Sequence, residues 1–286
     1  SQIMDPQITA DGNGKFLICW HARSGNSTNS NMLSLRARVA TVSGTSLSFG
    51  SETYIESDDG VNQPLTASVP DVNKFVIFYS AYNTSTPGEV ARYVKTATIS
   101  GTSVSFGSAL RINSGFPNYN HYSYIGNSKI ATISGYNTLI IYEVVGTSVV
   151  RRITTSIESA FVPASTDVDF ACIGYDSNSG KGIIYIAGEY SGYTDTSSGG
   201  FNQVFTLTVS SSNVVTYGTP TEVVDANGNR FRRGWYPHIA FNSSSNLFLI
   251  GLYGSSWPDS SGHYVFTAKI NNDDVNVTIP VRTSSG

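Results

Sequence analysis

A chain of 286 residues with 17 Lys and Arg, 20 Asp and Glu and a net charge of −3 has room for one large all-β domain or two ordinary ones. Only 13% of its residues are charged while 17 are Tyr and 14 are Phe, which excludes default disorder. The single basic cluster, Arg230-Phe231-Arg232-Arg233, is too small for a phosphate-binding footprint, so nucleic acid is excluded as a partner.

Five short apolar runs follow one another: KFLICW (15–20), KFVIFY (74–79), TLIIYEV (138–144), GIIYIA (182–187) and NLFLIGLY (246–253). Each is rich in β-branched and aromatic residues and too short for a helix, so each reads as a strand covered on both faces. A turn precedes each run (DGNG, PDVN, SGYN, DSNSGK, NSSS), and another short strand precedes each turn: PQITA, PLTAS, KIATI, DFACIGY and PHIAF. Cys19 and Cys172 sit inside apolar segments and read as buried free thiols. No apolar stretch approaches the ~20 residues of a membrane-spanning helix, and no membrane insertion is expected.

After each run comes a hairpin. ATVSGTSLSFGS (40–51) and ATISGTSVSFGS (97–108) are nearly the same sentence written twice, with Ser43-Gly44 and Ser100-Gly101 as the turns. Related hairpins occur at 203–224 and 264–283, and a degraded one at 148–162. The unit is thus four antiparallel strands repeated five times. Radial packing of such sheets gives a five-bladed β-propeller, with blades near 5–62, 63–127, 128–168, 169–235 and 236–286 forming one domain over 1–286. A pair of β-sandwiches, or part of a larger propeller, are the alternatives. In this reading the repeated hairpin is structural: Gly44 and Gly101 serve turns, and Phe49 and Phe106 fill the space between blades.

The connections sort into two classes. Those following the apolar runs or joining one unit to the next are long and aromatic, as in NSGFPNYNHYSYIGN (113–127) and DANGNRFRRGWYPH (225–238), and a rigid scaffold carries its binding sites on such loops. The candidate ligand-binding residues are Tyr119, His121, Tyr190, Tyr193, Arg232, Trp235, Trp257 and His263. Flat rings stack on sugar C–H faces, and the same residue types anchor protein interfaces. Asp11-Gly-Asn13 and Asp176-Ser-Asn178 resemble calcium loops but read as ordinary turns. Neither metal nor cofactor is expected.

A hydrolase reading competes with binding. MDPQI (4–8) resembles the Asp-Pro that opens the first blade of five-bladed glycosidases of the arabinanase and xylosidase type. Its counterparts NQPLT and WYPHI carry Gln63 and Tyr236 in place of Asp5, so the proline belongs to the blade frame. Asp167, Asp169 and Glu189 remain as acids, without a Glu-Gly-Pro segment. Hydrolysis needs two carboxyls at a set separation, so no catalytic residue is assigned and the expectation is a protein that binds rather than catalyses.

The TVSGTSxSFGS hairpin resembles repeats in virion surface proteins of tailed, chiefly marine, bacteriophages. The resemblance implies a virion or extracellular location and attachment to a host-surface glycan or to neighbouring virion proteins. A purely structural decoration and a glycoside hydrolase are the alternatives.

Overall fold

The computed structural model describes residues 2–23, 33–56, 60–82, 90–112, 122–134, 137–157, 166–190, 200–224, 228, 231–256 and 260–285. They form five successive antiparallel sheets, each ordered as its strands occur in the chain. The fold class is the five-bladed β-propeller of four-stranded blades. The first sheet holds β1 (Gln2–Ala10), β2 (Lys15–Arg23), β3 (Leu33–Ser43), β4 (Ser46–Phe49) and β5 (Thr53–Glu56). The second holds β6 (Gly60–Val69), β7 (Lys74–Tyr82), β8 (Val90–Ser100), β9 (Ser103–Phe106) and β10 (Leu110–Arg111). The third holds β11 (Tyr122–Tyr124), β12 (Lys129–Ser134), β13 (Thr138–Val145) and β14 (Ser148–Ser156). The fourth holds β15 (Thr166–Asp176), β16 (Lys181–Tyr190), β17 (Gly200–Val209), β18 (Val215–Tyr217) and β19 (Thr221–Glu222). The fifth holds β20 (Phe231–Asn242), β21 (Leu247–Ser256), β22 (Ser260–Asn271), β23 (Asp274–Val277) and β24 (Val281–Ser285). In all sheets but the third, the outer strand is two pieces that pair with the same neighbour.

The chain divides into two compact units. One comprises 1–116, 127–130 and 142–151. Its core packs Leu17, Cys19, Leu35 and Ala37 of the first sheet against Phe75, Ile77, Tyr79 and Val104 of the second. The other comprises 117–126, 131–141 and 152–286. It has two cores, one around Ile133, Ile141, Ile184 and Phe205 and one around Tyr185, Ile250, Leu252 and Phe266. The apolar runs at 75–79 and 183–187 are buried on both faces, as unbroken hydrophobic strands require. Both cysteines are buried free thiols.

The third sheet departs from the sequence reading. KIATI and TLIIYEV are its second and third strands, not its first and second, and the sheet starts at Tyr122 rather than 128. Its first strand is three residues long, too short to show alternation inside an aromatic connection.

The repeated hairpin clasps neighbouring sheets. Gly50, Gly107 and Gly218 end the first piece of the outer strand and donate N–H to Val39, Thr96 and Thr206 carbonyls at 2.9, 3.0 and 3.1 Å. A Cβ at these glycines would lie 1.7, 1.7 and 1.9 Å from the backbone oxygens of Thr102, Thr147 and Asp273, which belong to the turn of the next sheet. Two hydroxyls hold the same oxygens: Thr96 Oγ1 donates to Thr147 at 2.7 Å and Thr206 Oγ1 to Asp273 at 2.8 Å. The G of SFG therefore exists so that a turn carbonyl can enter beside it. Gly44, Gly101 and Gly146 take φ near +60° in the turns themselves, as expected.

Phe106 packs on the core between the first two sheets. Phe49, its double in the repeat, is exposed beneath the Arg38 guanidinium. Lys95 is a second staple: its buried Nζ donates to the Ile55 carbonyl at 2.8 Å and lies 5.0 Å from the Tyr79 ring centre.

Candidate functional site

The first strand of four sheets carries a β-bulge near the end from which the long connections leave. Register breaks between Met4 and Gln7 in β1, Asn62 and Leu65 in β6, Val168 and Phe170 in β15, and Trp235 and His238 in β20. Three of these bulges hold the Asp5-Pro6, Gln63-Pro64 and Tyr236-Pro237 dipeptides, and the fourth holds Asp169. Proline lacks the N–H that a ladder needs, so a strand accommodates it at such a break. The prolines do belong to the blade frame, and the residue before each occupies an equivalent backbone position.

The fourth sheet concentrates acids at this end. Asp167 and Glu189 are direct cross-strand partners in β15 and β16, with Thr166 opposite Tyr190 in the adjoining row. Asp169 lies at the bulge two residues beyond Asp167. Deeper in the same sheet the polar groups are committed to the fold. Tyr185 donates to Asn202 Oδ1, both fully buried. Burial raises the titrations of Tyr185 and Cys172 well above their ordinary values.

In the fifth sheet Trp235, Tyr253, His263 and Ser284 form one row across β20, β21, β22 and β24. The Tyr253 and His263 rings meet edge to face at 5.2 Å. His263 is exposed, and its carbonyl accepts a hydrogen bond from Thr283 Oγ1 at 3.2 Å.

Of the eight sequence candidates, Tyr119, His121, Tyr193 and Trp257 lie outside the described residues. Tyr190 is the last residue of β16, and Arg232 lies at a second register break at the start of β20. Trp235 and His263 are brought together by register on either side of Tyr253. Sequence reasoning missed Tyr253; its signal was the alternation Leu247, Leu249, Gly251, Tyr253 at the end of the fifth run. The calcium-like loops are Asx turns. Asp11 Oδ1 accepts from the Asn13 and Lys15 amides at 2.7 and 3.0 Å. Asp176 Oδ1 accepts from Asn178 and Ser179 at 2.8 and 3.2 Å, and its Oδ2 from the Ser179 hydroxyl at 2.7 Å.

No family model matches the chain, and no curated protein matches it. Among solved structures it is similar to a 6-phosphogluconolactonase candidate from Bacteroides uniformis, with TM-score 0.48 and 13% identity over 93% of this chain and 68% of that one. It is similar to a family-43 β-1,3-galactosidase, with TM-score 0.42 and 10% identity over 97% and 94%. It is also similar to levansucrase from Bacillus subtilis, with TM-score 0.41 and 11% identity over 99% and 86%. These likenesses are remote, and no residue role is taken from them. The expectation of a virion attachment protein without catalysis is corrected at this point: the similar structures are named as enzymes, glycosidases prominent among them, and none of these is a virion protein.

Proposed function

We propose that the chain cleaves glycosidic bonds, with reacting carboxyls supplied by the fourth sheet. What supports this is the cross-strand pairing of Asp167 with Glu189, beside the bulge at Asp169. Glycoside hydrolysis needs two carboxyl groups with different protonation states at neutral pH. Cross-strand neighbours have Cα atoms about 4.5–5.5 Å apart, so the register places Asp167 and Glu189 at one point of the fourth sheet. In the adjacent fifth sheet, Tyr253 and the exposed His263 offer a ring for a sugar face and a donor for its hydroxyls, with Trp235 at the register position beside them. A polysaccharide substrate also suits the charge-poor, Ser/Thr/Asn/Gly-rich composition, which fits an extracellular setting.

The names of the similar structures choose the first substrates, β-1,3-galactan and levan, and the resemblance of MDPQI to the arabinanase opening adds arabinan as a third. New reducing ends are expected from at least one of the three. Asp167→Asn and Glu189→Gln should each lower that rate by about 10²–10⁴-fold, the share a positioned acid or base contributes. Trp235→Ala should raise KM with a smaller effect on kcat. Absence of cleavage on all three, or full activity in both carboxyl variants, would reject the proposal.

A further inference from the structure

The turn between β1 and β2 reads Asp11-Gly12-Asn13-Gly14 and places an asparagine directly before a glycine. An asparagine is open to attack from its own chain, because the next residue's amide nitrogen lies within reach of the side-chain Cγ. Glycine in that next place has no Cβ to obstruct the approach. The Asn13 side chain is exposed at the tip of the turn, beyond both strand ends, and it makes no hydrogen bond among the described residues. The Gly14 N–H donates to no described acceptor; its carbonyl accepts from Val42 N at 2.8 Å, and its φ is +82°.

Other asparagines are committed and precede residues that carry a side chain. Asn178 Nδ2 donates to the Ser243 carbonyl at 3.0 Å and to Asn246 Oδ1 at 3.3 Å. Asn242 Oδ1 accepts from the Ser244 and Ser245 amides at 3.0 and 3.2 Å, and Asn202 Oδ1 accepts from Tyr185. Asp11 also precedes a glycine, but its Oδ1 accepts from the Asn13 and Lys15 amides. A carboxylate held in its anionic form is a poor electrophile, so the reactive carbon of this turn is Asn13 Cγ.

We infer that Asn13-Gly14 is a site of self-modification, where the chain converts asparagine to isoaspartate and aspartate without an enzyme. The Gly14 amide loses its proton to hydroxide, and its nitrogen bonds to Asn13 Cγ. The Cγ–Nδ2 bond breaks and that nitrogen leaves as ammonia, which closes a cyclic imide. Water then opens the imide at either carbonyl: attack at Cγ gives aspartate, and attack at the backbone carbon gives isoaspartate. One water enters, one ammonia leaves, and nothing is oxidised or reduced. The product carries an extra negative charge beside Asp11. Its isoaspartyl form adds a backbone atom to the loop that the Asp11–Lys15 hydrogen bonds close.

The test is incubation of the purified chain, native and unfolded in guanidinium chloride, over a pH series, followed by peptide mapping. Methyl transfer by an isoaspartyl methyltransferase is the second readout. The native rate at residue 13 should stay within about threefold of the unfolded rate, since a segment that opens at almost no cost reacts as the unfolded chain does. It should rise about tenfold per pH unit as the amide anion's share grows, and Asn13→Gln should remove the signal from this peptide. The peptide with Asn178 and the one with Asn242 should react in guanidinium chloride only. A native rate at residue 13 more than about tenfold below the unfolded one would overturn the inference. So would native modification confined to Asn227-Gly228, the other Asn-Gly pair, whose asparagine lies outside the described residues.

Discussion

Replacing Gly107 by alanine tests whether the repeated hairpin is a clasp. The new Cβ would stand 1.7 Å from the Thr147 carbonyl oxygen and 2.4 Å from Thr96 Oγ1. To reach even a 3.0 Å contact, that carbonyl must retreat by about 1.3 Å, and it is backbone rather than the end of a flexible side chain. The retreat also breaks the 2.7 Å bond from Thr96 Oγ1. Overpacking of this kind costs roughly 1–3 kcal/mol, and the lost hydrogen bond adds about 0.5–1.5 kcal/mol. The sum is about 1.5–4.5 kcal/mol. Gly101→Ala is the control: its φ is +61° and nothing lies within 4 Å of the new Cβ, so only the left-handed conformation is strained, at roughly 1–2 kcal/mol. Urea unfolding followed by tryptophan fluorescence should place the Gly107→Ala midpoint clearly below that of Gly101→Ala, at similar slope. Equal midpoints, or the reverse order, would refute the clasp.

The remaining expectations concern titration and reactivity. Tyr142 and Tyr217 are pushed by burial from 10.0 up to about 12, so their contribution to stability is intact below pH 10 and is lost as pH rises from 10 through about 12; urea midpoints at pH 9 and 11 should fall accordingly. Burial lowers the Lys95 titration, with the Glu56 carboxylate partly opposing it. Its contribution is therefore present above the ordinary lysine value and is lost as pH falls through the depressed one. Wild type should gain stability relative to Lys95→Met as pH is raised toward that range, and a gap that narrows instead would contradict this. Cys19 and Cys172, whose thiols burial holds far above the usual range, should resist a thiol reagent in the native chain and both react in urea.

Much of the scaffold was legible in the chain. The runs at 74–79 and 182–187 announce their strands because a sheet buried on both faces needs unbroken apolar sequence, and the duplicated hairpin announces the repeat. The clasp was not legible, because its partner is a backbone carbonyl and a carbonyl has no letter. Phe49 and Phe106 show a second limit: identical motifs sit in different surroundings, and burial depends on which sheet comes next. At the candidate site, Asp5, Gln63 and Tyr236 were matched through their prolines. The pairing of Asp167 with Glu189 instead depends on register between residues 22 positions apart, with a bulge at Asp169 shifting it. No local pattern encodes that register.

The most direct test of the proposed chemistry is the pH dependence of β-1,3-galactan or levan cleavage by the wild type, Asp167→Asn and Glu189→Gln. Two carboxyls acting as acid and base give a bell-shaped profile. The account expects the wild type to show it and each variant to lose one limb together with most of its rate. A bell unchanged in both variants would contradict the assignment, and no cleavage at any pH would contradict the function.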